Sequence, residues 1–128
     1  MTYHFSKIVD LPFDDAIEAV TKALAEKGFG VLTTIDVRAT LKKKLDVEFR
    51  PYVILGACNP QFAYQALRHE DKIGTMLPCN VIVQQRDDGK VEVSAVDPVA
   101  SMRAIDNPQL GSVAGEVQNR LKAVVDSL

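Results

Sequence analysis

Nothing constrains the fold of this chain more than the stretch Asp46 to Pro60, DVEFRPYVILGACNP. Tyr52, Val53, Ile54 and Leu55 form an unbroken apolar run, followed by the small residues Gly56, Ala57 and Cys58. A short run of this kind, rich in β-branched and aromatic residues, reads as a strand covered on at least one face. Pro51 cannot donate to a ladder and so belongs at the strand's start. At the other end, Asn59-Pro60 signals a helix. Asn is a favoured N-cap, and Pro is tolerated at the first helical position because that N–H has no partner anyway. A thiol therefore sits where a covered strand hands over to a helix N-terminus.

The elements on either side follow from hydrophobic periodicity. Alternation over residues 2–9 predicts a first strand. Asp10-Leu11-Pro12 ends it and opens a helix in which Phe13, Ile17, Val20 and Leu24 fall at helical spacing. Asp14 and Asp15 in the first turn and Lys27 in the last suit the helix dipole, and Gly28 is a natural stop. Phe29 to Asp36 reads as a second strand, with Val31, Thr33 and Ile35 on one side and Leu32 and Thr34 on the other. Val37, Leu41 and Leu45 then mark a short helix. After Pro60 a helix is predicted to about Asp71, followed by an apolar-lined loop from Ile73 to Pro78 and a strand from Cys79 to Gln85. Asp88-Gly89 reads as a two-residue hairpin in which both positions take φ > 0, with Lys90 to Val96 as the returning strand. A helical turn is expected between Pro98 and Ile105. Asn107-Pro108 opens a last helix whose seam is Leu110, Val113, Val117, Leu121, Val124 and Leu128, apt to pack on the sheet or on a second copy.

The order is β-α-β-(short α)-β-α-β-β-α, with no repeat or linker that would divide residues 1–128. This predicts a single α+β domain, a two-layer sandwich of a mainly antiparallel sheet with helices on one face. At 128 residues such a chain can bury ~65–70 % of its unfolded surface without a metal or disulfide staple. A net charge of −2 gives none of the positive field that drives nucleic-acid binding. No apolar run approaches a membrane span and the N-terminus carries no secretory pattern, so a cytoplasmic protein with reduced cysteines is expected.

Several segments together resemble a family known as domain of unknown function 302. They are Thr40-Leu41-Lys42-Lys43-Lys44-Leu45, Phe49-Arg50-Pro51-Tyr52 and Gly56-Ala57-Cys58-Asn59-Pro60, then Ala63-Tyr64, Ala66-Leu67, Ile73-Gly74, Leu77-Pro78-Cys79-Asn80-Val81 and Ala95-Val96-Asp97-Pro98. Asp46 stands where that pattern is expected to carry glycine. The resemblance implies a two-layer fold similar to the TATA-box-binding-protein-like architecture, often dimeric, and brings no agreed reaction or ligand. Shared architecture does not carry DNA binding with it.

Both cysteines precede an asparagine, Cys58-Asn59 and Cys79-Asn80. A thiol facing the free N–H groups of a helix start has a lowered pKa, and two thiols meeting at one sheet end can form a redox pair, carry a persulfide or hold a soft ion such as Cu(I). Free cysteines usually behave as small buried hydrophobes instead. A right-handed parallel crossover would set the two thiols at opposite edges; only an antiparallel placement of the Cys79 strand brings them together. His4 and His69 stand in no ligand spacing, so no metal site or cofactor is predicted. Arg38, Lys42, Lys43, Lys44 and Arg50 are the one basic concentration. They are candidates for receiving an anion, with help from the helix start at Asn59, against the alternative of a solvated face balanced by Asp36, Asp46 and Glu48. There is no triad spacing, nucleophile elbow or glycine-rich phosphate loop, and Asp97 before Pro98 is first a strand stop.

The leading expectation is a non-enzymatic ligand-binding or sensing module acting as a homodimer. Its site would lie between Cys58-Asn59 and Pro78-Cys79-Asn80, with the amides of Asn59 and Asn80 orienting a small molecule and Tyr52 framing the cleft. The runner-up is a thiol protein using Cys58 with Cys79 as partner. The third is an interaction domain that pairs through its last helix.

Overall fold

The alternating segments pair into one sheet in the computed structural model, which describes residues 2–128. Strands β1 (His4–Val9), β2 (Gly30–Asp36), β3 (Tyr52–Cys58), β4 (Cys79–Gln85) and β5 (Val91–Val96) take the order β1-β5-β4-β3-β2, and every pairing is antiparallel. Helices α1 (Phe13–Glu26), α2 (Val37–Leu45), α3 (Pro60–His69), α4 (Pro98–Ser101) and α5 (Leu110–Asp126) fill the connections, with a 3-10 segment at Asp71–Met76 between α3 and β4. This is the α+β architecture expected from the order of elements. Among the described residues, no helix is long and apolar enough to cross a membrane.

The core forms where the sheet's period-two pattern meets two helical stripes. Val53, Leu55 and Ala57 of β3, Val81 and Val83 of β4, and Val91, Val93 and Ala95 of β5 are all buried. They pack with Ala16, Val20 and Leu24 of α1 and Val117, Leu121 and Val124 of α5. Each fully buried Val or Leu contributes about 1.5–3 kcal/mol relative to exposure. The α5 seam is thus used within this chain's own core. A smaller cluster gathers Ala66, Ile73 and Leu110, so the segment read as an apolar-lined loop is a 3-10 turn pinned by a fully buried Ile73.

Three local details differ from the periodicity reading. In β2, Val31 pairs with Ala57 but Thr33 pairs with Gly56, so a β-bulge absorbs Leu32. Val31 and Thr33 therefore lie on opposite faces, because one extra residue reverses the alternation. At the hairpin, the Gly89 N–H donates to the Arg86 carbonyl at 2.9 Å and the Arg86 N–H to the Lys90 carbonyl at 2.8 Å. Positive φ falls on Gly89 alone (83°), the pattern of a type I turn closed by a glycine bulge. Helix α5 begins at Leu110, two residues after Pro108. Asn107 still caps locally, accepting from the Gln109 N–H at 3.1 Å, and donates to the His69 carbonyl at 2.8 Å, tying α5 to the end of α3.

The remaining helix starts behave as their residues suggest. Asp36 accepts from the Ala39 N–H at 2.9 Å to start α2, and Asp97 accepts from Val99 at 3.0 Å to start α4. Helix α2 ends at Asp46, which takes the left-handed conformation at φ 54°. That is the conformation glycine adopts without cost, which accounts for a glycine expectation there.

Candidate functional site

Strands β3 and β4 decide where the two cysteines meet. Their antiparallel register opposes Ala57 to Cys79, so the last residue of β3, Cys58, and the first of β4, Cys79, reach the same end of the sheet. The placement that a parallel crossover would have forbidden is the one that occurs. Cys79 belongs to the inward set with Val81 and Val83 and is buried; Cys58, at the strand's end, is half-buried. A cis Leu77-Pro78 peptide precedes β4.

Immediately after Cys58, Asn59 starts α3. Its Oδ1 accepts from the Phe62 N–H at 3.4 Å, and Pro60 occupies the first helical position. Its Nδ2 lies against Gly28, where a Cβ would come within 2.9 Å of it. Gly28 has φ 86°, so glycine is required there both by backbone and by space. Asn59 is buried, 8 % exposed, with its side-chain oxygen turned to the start of α3 and its nitrogen beside the end of α1.

Around this corner lies a cavity of about 360 Å³. The sheet end contributes Ala57, Cys58, Pro78 and Cys79; α3 contributes Phe62, Ala63, Ala66 and Leu67; α5 contributes Leu110, Val113, Ala114 and Val117. Phe29, Leu32, Gly74, Leu77, Pro98 and Met102 complete the wall, and Asn59 is its one side-chain amide among the described residues. Among the described residues, the lining contains no Asp, Glu, Lys, Arg or His. Removal from water has a direct consequence for Cys79. Burial, and secondarily the neighbouring Cys58, push its thiol up to about 11, because a thiolate is poorly solvated there. Cys79 is therefore a neutral thiol at pH 7 and a poor nucleophile.

Of the five residues expected to bind a ligand, Cys58, Asn59 and Cys79 line this cavity. Asn80 does not. It is exposed and pairs with Gly56, on the sheet face opposite to Cys79 and Val81. Tyr52 opens β3, about 20 Å from Cys58 along the strand, and faces a separate depression with Arg38, Asp14, Asp15 and Asp36. Tyr64 is exposed, with Arg68 stacked 5.5 Å from its ring.

The basic residues do not converge on one point. Lys42 is paired with Asp46 at 2.8 Å and Glu48 at 3.1 Å, and these carboxylates, Asp46 foremost, raise its pKa. Arg50 lies 4.4 Å from the Phe49 ring and 5.7 Å from that of Tyr52, and donates to Gln84 at 2.9 Å. Lys43 and Lys44 are exposed. All of them sit toward the Tyr52 end of β3, whereas α3 starts at its Cys58 end. Among the described residues, no three His, Cys, Asp or Glu side chains gather where they could hold a metal ion.

What periodicity alone missed is the partnership of walls. Phe62, Ala63, Ala66 and Leu67 were legible as one stripe, and Leu110, Val113 and Val117 as another. That they face each other across the thiols depends on the sheet order. Leu32 reaches the cavity only because of the bulge, and Met102 carries no signal of its own.

Comparison with known proteins agrees with this architecture. A crystal structure titled as an uncharacterized conserved protein DUF302 from Bacillus stearothermophilus superposes with a TM-score of 0.91 at 31 % identity, covering 98 % of each chain. An uncharacterized protein of Aquifex aeolicus (strain VF5) is 28 % identical over 91 residues, 71 % of this chain and 57 % of that protein, so the match spans little more than half of its length. A family model described as domain of unknown function DUF302 matches residues 5–128. The chain belongs to that family.

Proposed function

We propose that this protein is a non-enzymatic ligand-binding or sensing module that takes a small molecule in the cavity beside Cys58 and works as a homodimer. The observation that carries the reading is the cavity itself. Its volume of about 360 Å³ falls within the roughly 300–1,000 Å³ range of small-molecule sites, and most of its wall comes from the sheet end and two helices. No nucleophile–base pair adjoins it, so binding rather than turnover is the function its residues support. Native mass spectrometry of the freshly purified protein tests this. A non-covalent adduct that disappears when Ala63→Phe fills the cavity is the expected result; an adduct-free spectrum, together with no uptake from a library of small apolar molecules, refutes the reading.

For the homodimer, the exposed apolar side chains Ile35, Leu45 and Val47 offer area for a second copy to cover. Sedimentation equilibrium should give twice the single-chain mass, and a single-chain mass at high concentration ends this part of the proposal.

A second reading, thiol chemistry at Cys58 with Cys79 as partner, is favoured by the register that opposes Ala57 to Cys79. Rapid alkylation of Cys58 in the native state supports it. Labelling that waits for denaturant removes it.

A further inference from the structure

We infer that the ligand is an uncharged molecule whose buried part is hydrocarbon, and that carboxylates, phosphates and zwitterions are excluded from the site. The inference rests on the cavity being the binding site and goes further by naming the class of molecule that enters. The make-up of the cavity wall carries it.

Among the described residues, no ionisable side chain other than the two thiols lines the cavity, so an anion entering it would exchange water for carbon atoms with no countercharge, which costs far more than transferring a neutral group. The Arg120 guanidinium, which is not part of the lining, is turned toward other partners. It donates to Glu116 at 3.2 Å and to the Lys27 carbonyl at 3.1 Å, and stacks 4.9 Å from the Phe62 ring. The one amide, that of Asn59, uses its oxygen to cap α3, and an amide N–H can donate to a neutral carbonyl or hydroxyl but supplies no countercharge to an anion.

Cys79, buried in the same wall, shares this environment. Cys79 keeps its proton far above the usual range because burial disfavours the anion, and a ligand carboxylate or phosphate placed beside it would meet the same penalty. What the walls do offer is shape and dispersion: the Phe29 and Phe62 rings, the Met102 thioether, and the Leu67, Leu110 and Val113 side chains. Thioethers and aromatic rings are adaptable apolar partners that follow the outline of a neutral guest.

Two dyes with the same ring system separate the possibilities: N-phenyl-1-naphthylamine, which is neutral, and 1-anilinonaphthalene-8-sulfonate, which carries one negative charge. Each is titrated by fluorescence into the full chain and into two cavity-filling variants, Ala63→Phe on α3 and Val113→Phe on α5, after circular dichroism confirms that they fold. The expected result is saturable binding of the neutral dye, one per chain and at least tenfold tighter than the sulfonate, weakened at least tenfold in either variant. The neutral dye should also slow alkylation of Cys58. Equal affinity for the sulfonate, lost in the same variants, overturns the charge exclusion while leaving the site in place. Binding of the neutral dye that neither variant changes, or no saturable binding at all, overturns both the inference and the site on which it rests.

Discussion

Titrating Cys79 provides the most quantitative check on the claim that this corner of the protein is dry. In the folded chain the thiol is pushed from its ordinary value of 9.0 up to about 11; the unfolded chain releases the same proton near 9.0. Between these values the native state holds a proton that the unfolded state has lost, so stability falls as pH rises. The contribution is fully present below pH 9 and gone above pH 11. At about 1.4 kcal/mol per pH unit, the difference of about two pH units makes about 3 kcal/mol in all, of which about 1.4 kcal/mol is lost by pH 10. Lysines and tyrosines also titrate in this range, so the quantity to measure is the stability gap between the wild type and Cys79→Ala, from urea denaturation under reducing conditions at pH 7, 8, 9 and 10. Cys79→Ala loses packing at every pH, but it has no thiol to titrate. The gap should therefore hold steady to pH 8 and narrow by about 1.4 kcal/mol by pH 10. A gap that stays constant across the whole range would mean that Cys79 ionises as it would in water, and the argument from a low-dielectric cavity would fail with it.

Further substitutions, centred on Gly56, Asn59 and Asp46, probe the site's frame and the rest of the fold. Gly56→Ala would place a Cβ 2.2 Å from the Thr33 hydroxyl and 2.8 Å from the Pro78 ring; a loss of about 1–3 kcal/mol is expected, partly recovered when Thr33→Ala is added, whereas strictly additive losses in chemical denaturation would show that the two sites do not touch. Asn59→Ala should cost about 1 kcal/mol through the lost cap, and Asn59→Asp should do no better at pH 7 because it puts a carboxylate in a buried position, so a stabilised Asp variant would contradict the apolar setting. Asp46→Gly should raise stability by up to about 1 kcal/mol and Asp46→Val should lower it by about 1–2 kcal/mol, since only the former accepts the left-handed backbone without strain. A lower thermal midpoint for Asp46→Gly would refute that account.

Much of the fold could be read from local pattern because local physics decides it. The handover from β3 to α3 at Asn59-Pro60, the bounds of α2 and the bounds of β4 all follow from capping chemistry or periodicity confined to a few residues. The bulge at Leu32 could not be read this way. It inserts one residue into an otherwise regular alternation, and only the pairing of Val31 and Thr33 with β3 reveals it. The hairpin at Asp88-Gly89 was recognisable as a turn, but its type depends on the Arg86–Lys90 hydrogen bond across the strands. Sheet order, on which the meeting of Cys58 and Cys79 depends, is set by long-range pairing.

The candidate site divides along the same line. Cys58 and Asn59 were conspicuous because they sit at an element boundary. Asn80 drew notice through its Cys-Asn pairing, yet the alternation Cys79-Asn80-Val81 already directs it to the opposite face. Asn59 carried two competing readings, cap and ligand contact, and the hydrogen bond to the Phe62 N–H favours the first. The opposing wall formed by α5 had the look of a seam for core or partner, and only the tertiary arrangement makes its N-terminal half a cavity wall.

The measurement closest to the central claim is a methyl-resolved NMR titration of the full chain with N-phenyl-1-naphthylamine. Saturable shifts confined to Ala63, Ala66, Leu67, Leu110, Val113 and Val117, with the sheet-core methyls of Val83 and Val93 unmoved, are the predicted result. Shifts that instead centre on Ile35 and Ile54 of the opposite sheet face, or no saturable shifts at all, would contradict it.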